Sequence, residues 1–200
     1  MFERFTKDAR AVVVGAVGHA ERGSADAVDD GHLLLALLDR EASRGSFALA
    51  SLGAARHRDS IEEALSGARR RGGLSQADAA ALAGLGIDVA EIVSRVEEAH
   101  GEGALTDGGG KSGSGAGRSG SGKAGRGWFG RVPFSREAKD TLVKSLRIAT
   151  ARRDRRIGDE HLLLALTVRP GIVSEVLADH GVTHAAVDRV LWGGPAAAAG

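Results

Sequence analysis

The sequence predicts an all-α protein in which one helical unit is written twice. Apolar residues recur at helical spacing, the same pattern returns 129 residues later, and alternating β-branched residues are nowhere sustained. Setting Phe5 against Phe134 aligns FTKDARAVVVGAVGHA with FSREAKDTLVKSLRIA, and without a gap aligns DDGHLLLALL with GDEHLLLALT. Aromatic residues make up only 4% of the chain, so the core must be aliphatic.

In the first unit Ala9, Val12, Val13, Ala16, Val17 and Ala20 form one apolar stripe, with Thr6 placed to cap its helix. That stripe explains the apolar run at 11–20 better than a cleaved signal does, because acidic residues precede it and glycines and His19 interrupt it. A second helix, expected to open at Asp30 as its N-cap, is apolar nearly all round and should be buried. A leucine-bearing helix over 47–53 follows, ending in glycine. Three further helices are predicted over 60–68, over 76–83 behind the cap Ser75, and over 88–99.

Residues 101–131 hold 13 of the chain's 30 glycines, interleaved with serine, lysine and arginine. Such a stretch cannot bury enough apolar surface to order itself, so it reads as a flexible, disordered tether. The second unit then runs over 132–192, with a stripe of Ala138, Thr141, Leu142, Ser145, Leu146 and Ala149. Asp159 is its expected cap, 173–181 its leucine helix, and 188–192 closes the last helix. The expected division is therefore 1–100 for the first repeat with extra helices, 101–131 for the linker, 132–192 for the second repeat, and 193–200 for a disordered tail.

Composition and motifs argue against catalysis. The chain has no cysteine, which removes thiolate metal sites and cysteine nucleophiles and suits a reducing cytosol. The stretch GRSGSGKA at 117–124 imitates a phosphate-binding loop, but it ends in Ala124 where a hydroxyl is needed, and neither strand nor helix flanks it. His180 and His184 lie four apart across Gly181, which breaks the helix that would align them as metal ligands. His32 and His161, at equivalent positions at the start of the buried helix, are expected to play a paired structural role, packing or bonding local backbone. No cofactor is implied, and no apolar run is long enough to span a bilayer. Basic residues number 27 and acidic residues 26, so any nucleic-acid binding must be local. The set that could provide it is Lys111, Arg118, Lys123, Arg126 and Arg131 with Trp128 and Phe129, joined by Arg152, Arg153, Arg155 and Arg156. A solubilising tether is the competing role for that set.

With the repeats laid out, the chain resembles the Clp N-terminal repeat domain of the ClpA/ClpC unfoldases. MFERFTKDARAVVV is similar to the opening of actinobacterial ClpC proteins, and VPFSREAK at 132–139 resembles the start of their second repeat. DDGHLLLALL and GDEHLLLALT resemble the family's duplicated G-T-E-H-hydrophobic-L-G-L motif. The long glycine linker and the extra helices after the first repeat depart from the compact family arrangement.

The resemblance implies a pseudo-two-fold double Clp repeat that binds peptides, substrates or adaptors of the Clp system without catalysis. Within these 200 residues it comes with no ATPase module, which suggests a cytoplasmic decoy, sequestering protein or accessory factor of Clp proteolysis. It implies two ligand classes. Arginine-phosphorylated protein is read by the motif's glutamate, matched here by Glu160 in the second repeat, whereas the first repeat has Gly31. The competing role for Glu160 is a solvated acid interacting with the helix dipole. Cyclic peptide antibiotics bind where the first helices of the repeats meet, and the matching positions are Phe2, Arg10, Val14, Phe134 and Lys139. The competing role for Phe2 and Phe134 is a hydrophobic staple on their own helices.

Overall fold

The computed structural model describes residues 2–101 and 132–193, with Phe2 described by its backbone alone. The predicted tether and tail fall outside the described residues, apart from Gly101 and Gly193. Ten α-helices are present among the described residues, and β-structure there is limited to two isolated bridges.

The first unit begins with a 3₁₀ turn, Phe2–Arg4, and then α1, Lys7–Arg22. Thr6 caps α1 by accepting the Ala9 N–H at 3.1 Å, and the buried face is the predicted stripe. The nearly all-apolar α2, Asp30–Leu38, sinks into the core, followed by α3, Arg44–Ser51. Next come α4, Arg58–Arg70, α5, Gln76–Gly84, and α6, Val89–His100. The second unit repeats the scheme with α7, Arg136–Ala151, α8, Asp159–Val168, α9, Ile172–Asp179, and α10, His184–Trp192.

The two units are interlocked. The backbone ahead of α1 pairs with the backbone ahead of α8: Thr6 N–H donates to Ile157 O at 2.9 Å, and Ile157 N–H to Arg4 O at 2.8 Å. The backbone ahead of α7 pairs in the same way with that ahead of α2: Ser135 N–H donates to Val28 O at 2.9 Å, and Val28 N–H to Pro133 O at 2.8 Å. Each residue of one bridge is the 129-residue counterpart of a residue in the other, so the bridges are related by a pseudo-two-fold. Helix packing crosses over too, with α4 lying on α9 and α3 on both α8 and α10. Leu33, Leu34, Leu37, Leu162, Leu163, Leu164 and Leu166 are all buried in one cluster spanning both units.

Two expectations need correction. Asp30 and Asp159 are not the N-caps but the first helical residues; Asp29 and Gly158 hold the cap positions. Asp29 Oδ1 takes the His32 N–H at 2.9 Å, which leaves Asp30 free to face the other unit, as Asp159 also does. In the α7 stripe, Leu142 and Leu146 are only partly buried, because they line a cavity of about 220 Å³ with Phe5 and Ile157.

The α5–α6 hairpin adds little to the core. Val89 is its only buried apolar residue, while Leu85 is 78% exposed. No single helix among the described residues is long and apolar enough to cross a membrane. The pair α8 and α9 has the composition for it, but is bent by 99° and lies in the core.

Candidate functional site

The residues matched to the cyclic-peptide groove are distributed over the two pseudo-equivalent helix entries. Phe2 lies in the N-terminal 3₁₀ turn. Arg10 and Lys139 are exposed, equivalent residues one turn into α1 and α7, and Val14 extends the Arg10 face with 49% exposure. Phe134 is partly buried against the core and sits in the bridge to Val28. A hydrophobic staple needs an apolar residue at the fourth helical position, and those positions hold Arg10 and Lys139. The phenylalanines before both helices thus pair across the units. None of the cavities described here is lined by Arg10, Val14, Phe134 or Lys139.

The second location is the start of each buried helix. At α8, His161 Nδ1 accepts the Gly158 N–H at 2.9 Å, so its proton sits on Nε2 and is donated to Asp154 Oδ2 at 2.9 Å. Burial lowers the pKa of this imidazole, although Asp154 opposes the shift, and the neutral ring is the form that fits both bonds. His32 Nδ1 accepts the Asp29 N–H at 3.1 Å in the same way. Both histidines hold backbone, as their equivalent positions suggested.

Beside His161, Asp159 reaches into the first unit. Its Oδ2 accepts Ser43 Oγ at 2.5 Å and the Gly45 N–H at 2.9 Å, which caps α3 from the opposite repeat. Gly45 permits this approach, because a Cβ there would stand 2.6 Å from that oxygen. Glu160 is only 6% exposed and pairs with Arg44 Nη1 at 3.1 Å, so it is not a solvated first-turn acid. Burial, reinforced by Asp159, raises its pKa against the opposing pull of its backbone hydrogen bond and Arg44. These groups wall a cavity of about 410 Å³ that Arg155 and Arg156 also line.

The equivalent start of α2 is built differently. Asp29 takes two bonds from Arg69 of α4, Nε to Oδ2 and Nη2 to Oδ1, both at 3.2 Å. Burial pushes its carboxyl up, but bonds from His32 and the charge on Arg69 outweigh that and hold it at about 2. Asp30 pairs with Arg169 at 3.2 Å, and burial raises its pKa. Its Oδ1 is buried without a partner, since Ile172 stands where the other unit has Ser43. A cavity of about 250 Å³ lies between Asp30, Arg69, Arg169 and the start of α9.

Arg44, Arg69 and Trp192 were not singled out from the sequence. Trp192 ends α10 beneath the Arg44 guanidinium, 5.1 Å from its ring centroid, and beside Arg152 at 3.7 Å. An arginine paired in space with Gly31 was the available signal for Arg69, but it is visible only once α4 is placed. Of the basic set considered for nucleic acid, the linker members, Trp128 and Phe129 lie outside the described residues. Arg152 is engaged by Asp188 and Trp192. His180 accepts from Ser60 across to α4, while His184 opens α10.

The fold is a two-fold helical repeat, with cavities and charged clusters at the starts of its buried helices. Residues 133–193 match the family described as Clp repeat (R) N-terminal domain. The N-terminal domain of the caseinolytic protease-associated chaperone ClpD from Arabidopsis thaliana is similar in structure, with a TM-score of 0.49 and 18% identity over 96% of this chain and 94% of that one. No curated protein sequence matches the chain.

Proposed function

We propose that this protein is a non-catalytic binding module of the Clp system, taking peptide, substrate or adaptor ligands as a decoy, sequestering or accessory factor. The observation that carries the reading is the cavity at the start of α8, where buried carboxylates face Arg44, Arg155 and Arg156. A ligand carrying both a guanidinium and an anion is complementary to that wall, and phosphorylated arginine is such a ligand. Its guanidinium would pair with Glu160 and its phosphate with Arg155 and Arg156 through charge-assisted bonds. A decoy acts by mass action, so it must be abundant or bind more tightly than its competitor.

The test is calorimetric titration with a peptide bearing one phosphoarginine. The expected result is saturable binding that falls at least about tenfold in Glu160→Gln, the worth of one charge-assisted bond. Absence of binding by the wild type would sink this ligand. A second ligand class, cyclic peptide antibiotics, is favoured by the exposure of Val14 beside Arg10 on α1. Phe2, Phe134 and Lys139 complete the set that would contact them.

A further inference from the structure

Both buried helices begin with a carboxylate that already holds an arginine from elsewhere in the chain. At α2 the pair is Asp29 with Arg69, and at α8 it is Glu160 with Arg44. Both pairs lie at the start of a buried helix, but Asp29 is the N-cap residue whereas Glu160 is the second helical residue, and the pairs are made differently. Arg69 binds through two bonds in the fork geometry that suits a carboxylate, whereas Arg44 makes one. The Arg69 side chain is 35% exposed and that of Arg44 is 53% exposed. Arg69 also occupies space that Gly31 leaves open, since a Cβ at that position would stand 2.9 Å from its Nη2. Position 160, the counterpart of Gly31, carries a glutamate. Arg44 instead rests on the exposed side of Trp192, at the end of the last helix.

We infer that the two helix starts are guanidinium sites filled from within: the first closed permanently by Arg69, the second held displaceably by Arg44, with Trp192 setting how readily Arg44 leaves. One external guanidinium ligand per chain follows. The identity of that ligand rests on the phosphoarginine reading above, whereas the difference between the two internal arginines does not. An internal plug has a physical reason. A buried carboxylate stripped of its partner carries a large desolvation cost, and Arg44 spares the empty site that state. Exchange of one guanidinium for another keeps an ion pair on Glu160, and the stacking on Trp192 holds Arg44 in its place there. At α2, an incoming ligand would have to break two bonds and find a place that Arg69 already occupies.

Free phosphoarginine titrated calorimetrically into the full chain tests this. The wild type should bind one equivalent. Arg44→Ala should bind about tenfold more tightly, the worth of the competing charge-assisted bond. Trp192→Ala, which loosens Arg44 without baring Glu160, should shift affinity in the same direction by a smaller factor. The double variant Gly31→Glu with Arg69→Ala should bind two equivalents. Unchanged or weaker binding by Arg44→Ala, two equivalents in the wild type, or one in the double variant would overturn the inference while leaving the ligand in place. If no variant binds, the phosphoarginine reading falls, and NMR of the arginine side chains decides the inference separately. Rotation about the Nε–Cζ bond should be slow for Arg69 and fast for Arg44, and equal rates would overturn the assignment.

Discussion

The turns that close α1 and α7 share a backbone and almost nothing else. In both, a residue other than glycine takes a left-handed conformation, Ser24 at φ 51° and Arg153 at φ 61°. In both, the next N–H returns to the helix at 2.9 Å, Ala25 to Ala20 and Asp154 to Ala149. Yet the first turn reads GSADAV over 23–28 and the second RRDRRI over 152–157. The shared part is what the crossed bridges demand, because Val28 and Ile157 must arrive at the same place relative to Phe134 and Phe5. The side chains pointing away from that junction were free to diverge, and they diverged toward charge. Asp154 and the arginines around it furnish the second unit with a polar cavity, where the first offers Ala25 and Ala27. Symmetry here belongs to the scaffold, and the charges of these turns differ between the halves.

The comparison can be broken at its strongest point, the shared core. Leu34 and Leu163 are equivalent and fully buried. Truncating either to alanine should cost about 3 kcal/mol, in a single unfolding transition measured by denaturant titration. Two separate transitions would show that the units fold independently.

A smaller effect should separate the halves. Asp159→Ala strands the Ser43 hydroxyl and the Gly45 N–H in a buried place, and should cost about 2–3 kcal/mol. Asp30→Ala breaks the ion pair with Arg169 but leaves that guanidinium its bonds to the Glu137 carbonyl and the Thr141 hydroxyl, and removes an unpartnered buried oxygen, so it should cost only about 1 kcal/mol. Equal losses would contradict the asymmetry.

The smallest effect is one of pH. Asp29 has its folded pKa lowered from 3.8 to about 2, so its stabilising contribution is present above the unfolded value and is lost as pH falls toward 2. With its side chain 37% exposed, solvent screening keeps that contribution to about 1 kcal/mol. Glu160 has its folded pKa raised above 4.5, so it runs the other way: its contribution is fully present below that value and is lost as pH rises through the folded one. Carbon-detected NMR titration of the two carboxyls should show Asp29 below and Glu160 above their ordinary ranges, and matching midpoints would erase the distinction.

The helices were legible because each is a local statement. Thr6 and Ser75 cap the helices their positions announce, and the stripe from Ala9 to Ala20 is buried as its spacing requires. The error at Asp30 and Asp159 arose where two adjacent residues in the first unit could both cap, and only the tertiary partner decides which one does. Arg44 and Glu160 are 116 positions apart, and no local pattern records that they meet. The offset of 129 predicted that Phe5 and Phe134 play equal parts, but not that each plays its part on the opposite unit.

That exchange has a consequence for how the two units stand to one another. An isologous contact, in which each member offers the same surface to the other, is the signature of a closed homodimer. One unit alone carries half of each bridge: an entry segment with no turn to pair with, and a turn with no entry segment. Two copies of one unit meeting about a two-fold would satisfy both halves at once, which is the arrangement this single chain holds internally. Within one chain the two surfaces are under no obligation to be identical, which is the freedom that Gly31 and Glu160 display.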